Sequence, residues 1–287
     1  MLRDPAHYQI YKRLEHYFKR YKNYLPRYTH EELDFPGVKV ENVEVGKLIT
    51  YFDYFEIDLD NVVTVGKEED GQNVDIRGKV ARLNHKPFTY SIHINSDKNQ
   101  DVYIRVFLGP KYNHLGQEYE LDERRDYFVE VDRFPYKIEA GKNIVERKSQ
   151  DSNVVAPDQD SYRTFFKKIT EAYEGKAEYY LNKAQHYYGY PERLLVPKGK
   201  KGGQAFTFYV IVTPYHQVNE KDFQPYDHKA FSYMGVGQNR VYPDDKPLGY
   251  PFDRKIYSND FYTPNQYFKD VVIFHKKADE DSNVTQN

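Results

Sequence analysis

Phe88-Thr89-Tyr90-Ser91-Ile92-His93-Ile94 and, one turn later, Val102-Tyr103-Ile104-Arg105-Val106-Phe107-Leu108 set apolar residues at every second position. A period of two is that of a strand with one face on a core. The same reading extends outward to Val38, Val40, Val43 and Val45, to the run 48–55, and to Val74, Ile76 and Val80 set against Asp75, Arg77 and Lys79. Residues 127–131, 206–213 and 268–274 are further candidates, with Gly, Pro and Asn turns between the runs. Short strands of this kind, apolar on one side and polar on the other, predict an antiparallel sandwich.

Helical spacing is confined to two places. Ile10, Leu14, Tyr17 with Phe18, Tyr21 and Leu25 recur every three or four residues, and Lys12, Arg13, Lys19, Arg20 and Lys22 mostly take the other face. Asp4 fits the N-cap, and Pro5 the first helical position, where its missing N–H costs nothing. Thr29 with Glu32 forms a capping box for a further turn, and Phe35-Pro36-Gly37 ends the pattern. This helix reads as the last element of an upstream domain. It is expected to dock on the sandwich, because an isolated helix of about 20 residues is marginal in water. Residues 161–174 carry a second amphipathic pattern ending before Gly175. Residues 190–203 read as a long exposed loop rich in Pro, Lys and Gly, and residues 279–287 as a polar, disordered tail.

The 287 residues hold 42 Lys+Arg against 44 Asp+Glu, so no basic field exists for a nucleic-acid backbone. With no cysteine there is neither a disulfide framework nor a thiolate metal site. No apolar run approaches the roughly 20 residues of a membrane span. Met1-Leu2-Arg3-Asp4-Pro5 is not a signal peptide, so either the chain is not secreted or its start is missing. The composition is biased in one direction: 30 Tyr and 18 Phe stand beside two Met and no Trp. Half-buried strands absorb part of that excess but not its one-sidedness.

Motif chemistry is absent. No two His are four apart, and His7 and His16 lie nine apart. Gly199-Lys200-Lys201-Gly202-Gly203 lacks phosphate-loop spacing, and Met234-Gly235-Val236-Gly237 is followed by Arg240 where a third glycine belongs. No Gly-x-Ser-x-Gly elbow and no calcium-loop spacing occurs. The expectation is a non-enzyme with no catalytic, cofactor-binding or metal-binding residues. Asn283-Val284-Thr285 is the one N-glycosylation triplet, with Asn283 as its acceptor.

The order of several segments resembles the C-terminal part of the arthropod hemocyanin and phenoloxidase superfamily. Arg3-Asp4-Pro5 with Tyr8, Tyr24-Leu25-Pro26, Tyr28-Thr29, Glu31-Glu32-Leu33 and Phe35-Pro36-Gly37-Val38 match the junction between its copper-binding helical domain and its last domain. Lys47-Leu48-Ile49-Thr50-Tyr51-Phe52-Asp53 and Arg105-Val106-Phe107-Leu108-Gly109-Pro110-Lys111 continue the order. Pro191-Glu192-Arg193-Leu194-Leu195-Val196-Pro197-Lys198-Gly199-Lys200, Gly249-Tyr250-Pro251-Phe252-Asp253-Arg254 and residues 261–272 complete it.

The resemblance implies a mainly β fold, an immunoglobulin-like antiparallel sandwich over 36–276 with long loop insertions. It makes 1–35 the end of the central helical domain and 277–287 a disordered tail. It places the family's last copper-ligating His at Tyr11, six residues after Pro5, where a phenol, protonated at neutral pH, is a poor replacement for imidazole. Oxygen carriage and phenol oxidation are thereby disfavoured. The aromatic bias is similar to that of arylphorin-type insect hexamerins, which implies a copper-free nutrient reservoir. Such a protein is secreted into haemolymph and assembles as a homo- or hetero-hexamer, without nucleic acid or membrane. A hemocyanin or phenoloxidase fragment is the second reading. Carriage of a hormone or small hydrophobic ligands by the sandwich loops is the third, and nothing in the sequence separates it from storage. Aromatic-rich cockroach relatives are also allergens. Aromatic strands left bare would invite aggregation, so oligomer contacts or the upstream domains are expected to cover part of them.

Overall fold

In the computed structural model of the chain, residues 5–59, 66, 76–156, 160, 162–179, 190–215 and 246–277 are described. The strands are β1 (Val38–Val45), β2 (Leu48–Asp58), β3 (Arg77–His85), β4 (Thr89–Ser96), β5 (Gln100–Pro110) and β6 (Val129–Ile138). They are followed by β7 (Gly141–Lys148), β8 (Val155–Ala156), β9 (Tyr190–Pro191), β10 (Gln204–Pro214) and β11 (Gln266–His275). The helices are α1 (Pro5–Lys22), α2 (His30–Leu33), α3 (Leu121–Arg124), α4 (Tyr162–Tyr173) and α5 (Ser258–Phe261).

A three-stranded sheet in the order β1-β4-β7 faces a six-stranded sheet in the order β3-β2-β11-β10-β5-β6. Ladders are antiparallel except that β2 runs parallel to β11, through Leu48 opposite Ile273, and that the two-residue pair β8–β9 is parallel. The chain changes sheets at Gly46-Lys47, where the Gly46 N–H donates to the Thr89 carbonyl at 2.8 Å. Entry to β1 is fixed by Phe35-Pro36-Gly37. Pro36 presets the turn, Gly37 adopts φ +85°, and the Val38 N–H closes it on the Phe35 carbonyl at 3.0 Å. The capping box at Thr29 and Glu32 is present, with the two bonds at 3.3 and 2.8 Å.

The main core lies between the sheets. Val40 and Val43 of β1, Tyr90, Ile92 and Ile94 of β4, Val102 to Leu108 at even positions of β5, and Phe208, Val210 and Val212 of β10 fill it. A second apolar layer covers the opposite face of the large sheet. There Phe107, Tyr209 and Ile211 meet Leu33 of α2, Leu121 of α3, Phe261 of α5, and Tyr250, Phe252 and Ile256. The expectation of one apolar and one polar face therefore fails for β5 and β10, which are buried on both sides. The outward residues Tyr103, Arg105, Thr207 and Thr213 look polar in sequence. They reach the covering layer with their apolar bodies and satisfy their heads there, as when Arg105 donates to the Thr213 hydroxyl at 3.3 Å.

Three further expectations need correction. Val80 of β3 is exposed and Ile76 lies outside the strand, so the apolar side of that alternation does not face the core. The strand expected at 127–131 begins at Val129, and β7 was not foreseen. Residues 190–203 are not a bare loop, because Leu195 and Val196 are 5% and 1% exposed and belong to the main core. The plug is held from two sides. The imidazole of His85 places Nδ1 2.9 Å from the Lys86 carbonyl and Nε2 2.9 Å from the Glu192 carbonyl. Gly199 lies so close to Ile273 that a Cβ would collide with its carbonyl oxygen, and its N–H donates to the Thr50 hydroxyl at 3.1 Å. His85→Leu keeps the volume and removes both polar contacts. Urea unfolding should show a loss of about 2 kcal/mol, with faster amide exchange at Leu195 and Val196. An unchanged midpoint and unchanged exchange would show that His85 is not what fastens the plug.

Asp4, Ser161, residues 234–237 and the 277–287 tail beyond Lys277 lie outside the described residues, as does Asn283.

Candidate functional site

The junction where α1 enters the sandwich is built by Lys22, Asn23, Tyr28, Arg125 and Asp253. α1 forms as its spacing predicts, with Lys19, Arg20 and Lys22 in its last turn, where cations oppose the helix dipole. Its C-terminal end is anchored to the covering layer. Lys22 Nζ donates to the Leu248 carbonyl at 2.7 Å and to Asp253 Oδ2 at 3.0 Å, and that carboxylate is 3% exposed. The Tyr28 hydroxyl donates to the other oxygen of Asp253 at 3.0 Å, while the Arg254 guanidinium lies 4.3 Å over the Tyr28 ring. Burial, and secondarily the negative charge of Asp253, push the Tyr28 phenol well above its ordinary range. Arg125 completes the anchor. It is nearly buried and donates to Asn23 Oδ1 at 2.6 Å, Asp122 Oδ1 at 3.1 Å and the Phe252 carbonyl at 3.3 Å.

The rest of α1 is not docked. Ile10, Leu14, Tyr17, Phe18 and Tyr21 are about half to two-thirds exposed, so the apolar stripe faces away from the sandwich. The expected docking holds for the last turn alone. Polar grips at Lys19, Lys22 and Asn23 fix where the helix ends and leave its apolar face open. Tyr11 lies on this undocked part and is 59% exposed. Its side chain offers a phenol oxygen and no imidazole nitrogen. Among the described residues no group of three or more His, Cys, Asp or Glu is arranged to hold a metal ion.

A second polar cluster is centred on Asp132. Asp132 of β6, 1% exposed, accepts from the Tyr90 hydroxyl of β4 at 2.6 Å and from Arg147 Nε of β7 at 3.1 Å. Its other oxygen accepts the backbone N–H groups of Arg133 at 2.8 Å and Asn153 at 2.9 Å. This cluster ties the two sheets together and lies under an open cleft of about 540 Å³ lined by Glu44, Thr89, Tyr90, Glu146, Arg147 and Asp151. A smaller apolar pocket of about 170 Å³ sits between Leu108, Tyr127, Val129, Val131, Leu195 and Phe206. It is below the roughly 300–1,000 Å³ of sites that enclose a drug-sized ligand. The Asp132 carboxylate is held by its donors, and the cluster performs cohesion between the sheets.

Sequence reasoning missed Asp253, Arg125 and the whole covering layer as the seat of the junction. The signal was present in Gly249-Tyr250-Pro251-Phe252-Asp253-Arg254, which the structure folds against Tyr28 and Pro26, with Arg254 donating to the Pro26 carbonyl at 3.0 Å.

Comparison with known proteins agrees with this architecture. Residues 27–275 match the family described as the hemocyanin ig-like domain. A protein of Periplaneta americana named Allergen Cr-PI is 66% identical over 280 residues, which is 98% of this chain and 41% of that protein. A protein of Blaberus discoidalis named hexamerin is 62% identical over 279 residues, 97% of this chain and 38% of that one. The activated-state cryo-EM model of scorpion hemocyanin superposes with a TM-score of 0.74 at 29% identity, covering 92% of this chain and 42% of that chain. The chain thus spans about two fifths of the length of these proteins, and its two sheets form the immunoglobulin-like sandwich that the resemblance implies.

Proposed function

Because the chain belongs to the family of the hemocyanin immunoglobulin-like domain, we propose that it forms the C-terminal part of a copper-free, non-catalytic storage protein of the hexamerin type. In this reading it is secreted into haemolymph, assembles as a hexamer and is consumed as a source of aromatic amino acids. Residues 1–35 are the end of the central helical domain and 36–276 the sandwich.

The observation that carries the proposal is where the tyrosines lie. The main core is built almost wholly of Val, Ile, Leu and Phe. Away from α1, Tyr24, Tyr54, Tyr173, Tyr257 and Tyr262 stand exposed, Tyr173 at 91% and Tyr24 at 79%. Side chains so exposed add little to folding that a smaller polar residue would not supply. Their number therefore answers to something other than the packing of this fold, and amino-acid content is the property that a reservoir is selected for. The relative named hexamerin supports the same reading. Tyr11 supports the absence of copper, since the phenol does not match the imidazole donor that a dicopper centre takes from this helix. The undocked stripe of α1 supports the domain division, because a face of this size finds its partner in helices upstream.

Native mass spectrometry of the full-length parent from its source tests the proposal. The expected result is a six-subunit mass without bound copper. Two coppers per subunit would overturn it and return the oxygen-carrier or phenoloxidase reading. Hydrogen exchange then checks the division into domains. Ile10, Leu14 and Phe18 should be more protected in the parent than in the present chain, and equal protection would count against it.

A further inference from the structure

We propose that Tyr119 and Tyr127 form a built-in oxidative cross-linking site, at which a one-electron oxidant joins the two phenols as an intrachain dityrosine. Their ring centroids are 5.3 Å apart with the planes inclined by 33°. Tyr127 is 52% exposed and Tyr119 half-buried, so a small oxidant reaches the pair from solvent.

The pair is held from behind. The Tyr119 N–H donates to the Lys111 carbonyl at 3.1 Å, and Tyr127 ends a 3-10 turn (Arg125–Tyr127) two residues before the edge strand β6. Between them α3 inserts Leu121 into the covering layer and is followed by the buried Arg125. The backbone is therefore fixed at both ends of the segment, and the two rings stay adjacent. Two other tyrosine pairs in ring contact lack one of these features. Tyr103 beside Tyr215 is 3% exposed. Tyr250 beside Tyr28 is 1% exposed, and the Tyr28 hydroxyl is committed to Asp253.

The chemistry balances with a peroxide and a haem peroxidase as oxidant. Each phenol loses one electron and one proton to give a phenoxyl radical. The ring contact keeps the first radical within reach of the second phenol. The radicals couple through their ortho carbons, and the two ring C–H protons move to the oxygens to restore aromaticity. Two electrons and two protons leave in total and reduce one peroxide to two waters. Burial, with Tyr127 adding to it, raises the Tyr119 phenol above its ordinary range. Tyr119 thus enters as a neutral phenol at neutral pH. The bond closes the segment carrying α3 into a short loop, a covalent constraint of the kind that disulfides supply in chains with cysteine.

The test is to treat the present chain with a peroxidase and less than one equivalent of hydrogen peroxide. Tryptic peptides 112–124 and 126–133 should then appear joined, at the sum of their masses less two hydrogens, as the most abundant dityrosine product. Fragment ions should place the bond at Tyr119 rather than Tyr112. Tyr119→Phe and Tyr127→Phe, each checked for native circular dichroism, should both lose the joined peptide. Interchain dimers as the main product, a bond at Tyr112, or undiminished dityrosine fluorescence in both variants would overturn the proposal.

Discussion

Asp132→Ala should cost the sandwich about 3–5 kcal/mol, the amount typical of removing one partner from a buried charge pair. The carboxylate accepts from Tyr90 and Arg147 on the small sheet and from two backbone N–H groups on its own side. The alanine leaves the Tyr90 hydroxyl, with its ring 4% exposed, without that acceptor, and removes the counter-charge of Arg147. The guanidinium keeps its stacking 4.2 Å over Phe134 and its bond to the Asp151 carbonyl, so the helix- and loop-level structure around it survives. Asp132→Asn retains the shape and loses the charge, and should fall between parent and alanine variant. Against a total stability of about 5–15 kcal/mol for a domain, the alanine variant is near the limit of folding. Urea midpoints of parent, Asp132→Asn and Asp132→Ala measure the effect. A cost below about 1 kcal/mol for alanine would mean that the cluster behaves as a surface ion pair and does not bind the sheets together.

The fold was legible where one face alone met the core. β4 shows this in Tyr90, Ile92 and Ile94, buried between partly covered neighbours. β7 was invisible because an edge strand needs few apolar contacts. Only Val145 turns fully inward, and Lys142, Glu146 and Lys148 give the stretch a loop-like composition. Such charges suit an edge that must not pair with another chain. β5 and β10 were recognised as strands, but their second buried face was hidden, because Tyr, Arg and Thr bury their carbon atoms while advertising polar heads. The plug at Leu195 and Val196 was missed for a related reason. Two apolar residues flanked by Arg193 and Pro197-Lys198 give no periodic signal, and what buries them is His85 and Gly199 acting across the chain.

The junction was legible only in part. Helical spacing identified α1, and the position of Tyr11 came from resemblance to a family rather than from any pattern within the helix. The anchors Asp253 and Arg125 act on Lys22, Tyr28 and Asn23 from more than 100 residues away in sequence, with separations of 231, 225 and 102 for the three bonds. No local rule reads such a pairing. The stripe was read as needing a partner, and the structure shows that the sandwich does not supply one beyond the last turn.

Alkaline pH should unfold the chain steeply, and two buried phenols set the slope. Burial raises Tyr90 well above its ordinary range, with the Asp132 charge and hydrogen bond adding to it. Burial, with Tyr250 adding to it, does the same for Tyr209, whose hydroxyl has no hydrogen-bond partner among the described residues. In the unfolded chain both titrate near pH 10. The contribution is therefore intact below about pH 10. As pH rises further the unfolded state gives up protons that the folded state keeps. Each phenol then removes about 1.4 kcal/mol per pH unit, and the pair about 2.7. Tyr28 shifts in the same direction and adds to the loss, less fully because it is partly open to solvent. Tyr209→Phe isolates one component. The phenylalanine keeps the contacts with Phe252 and Phe268, whose ring centroids are 4.8 and 4.5 Å from the tyrosine ring, and deletes a hydroxyl that was buried unpaired. At neutral pH the variant should equal the parent or exceed it by about 1 kcal/mol. Between about pH 10 and pH 12 its slope should be shallower by about 1.4 kcal/mol per unit. Urea midpoints across that range read both quantities. A variant as steep as the parent would show that Tyr209 reaches water before the chain unfolds, and that the covering layer opens on its own while the sandwich beneath it stays closed.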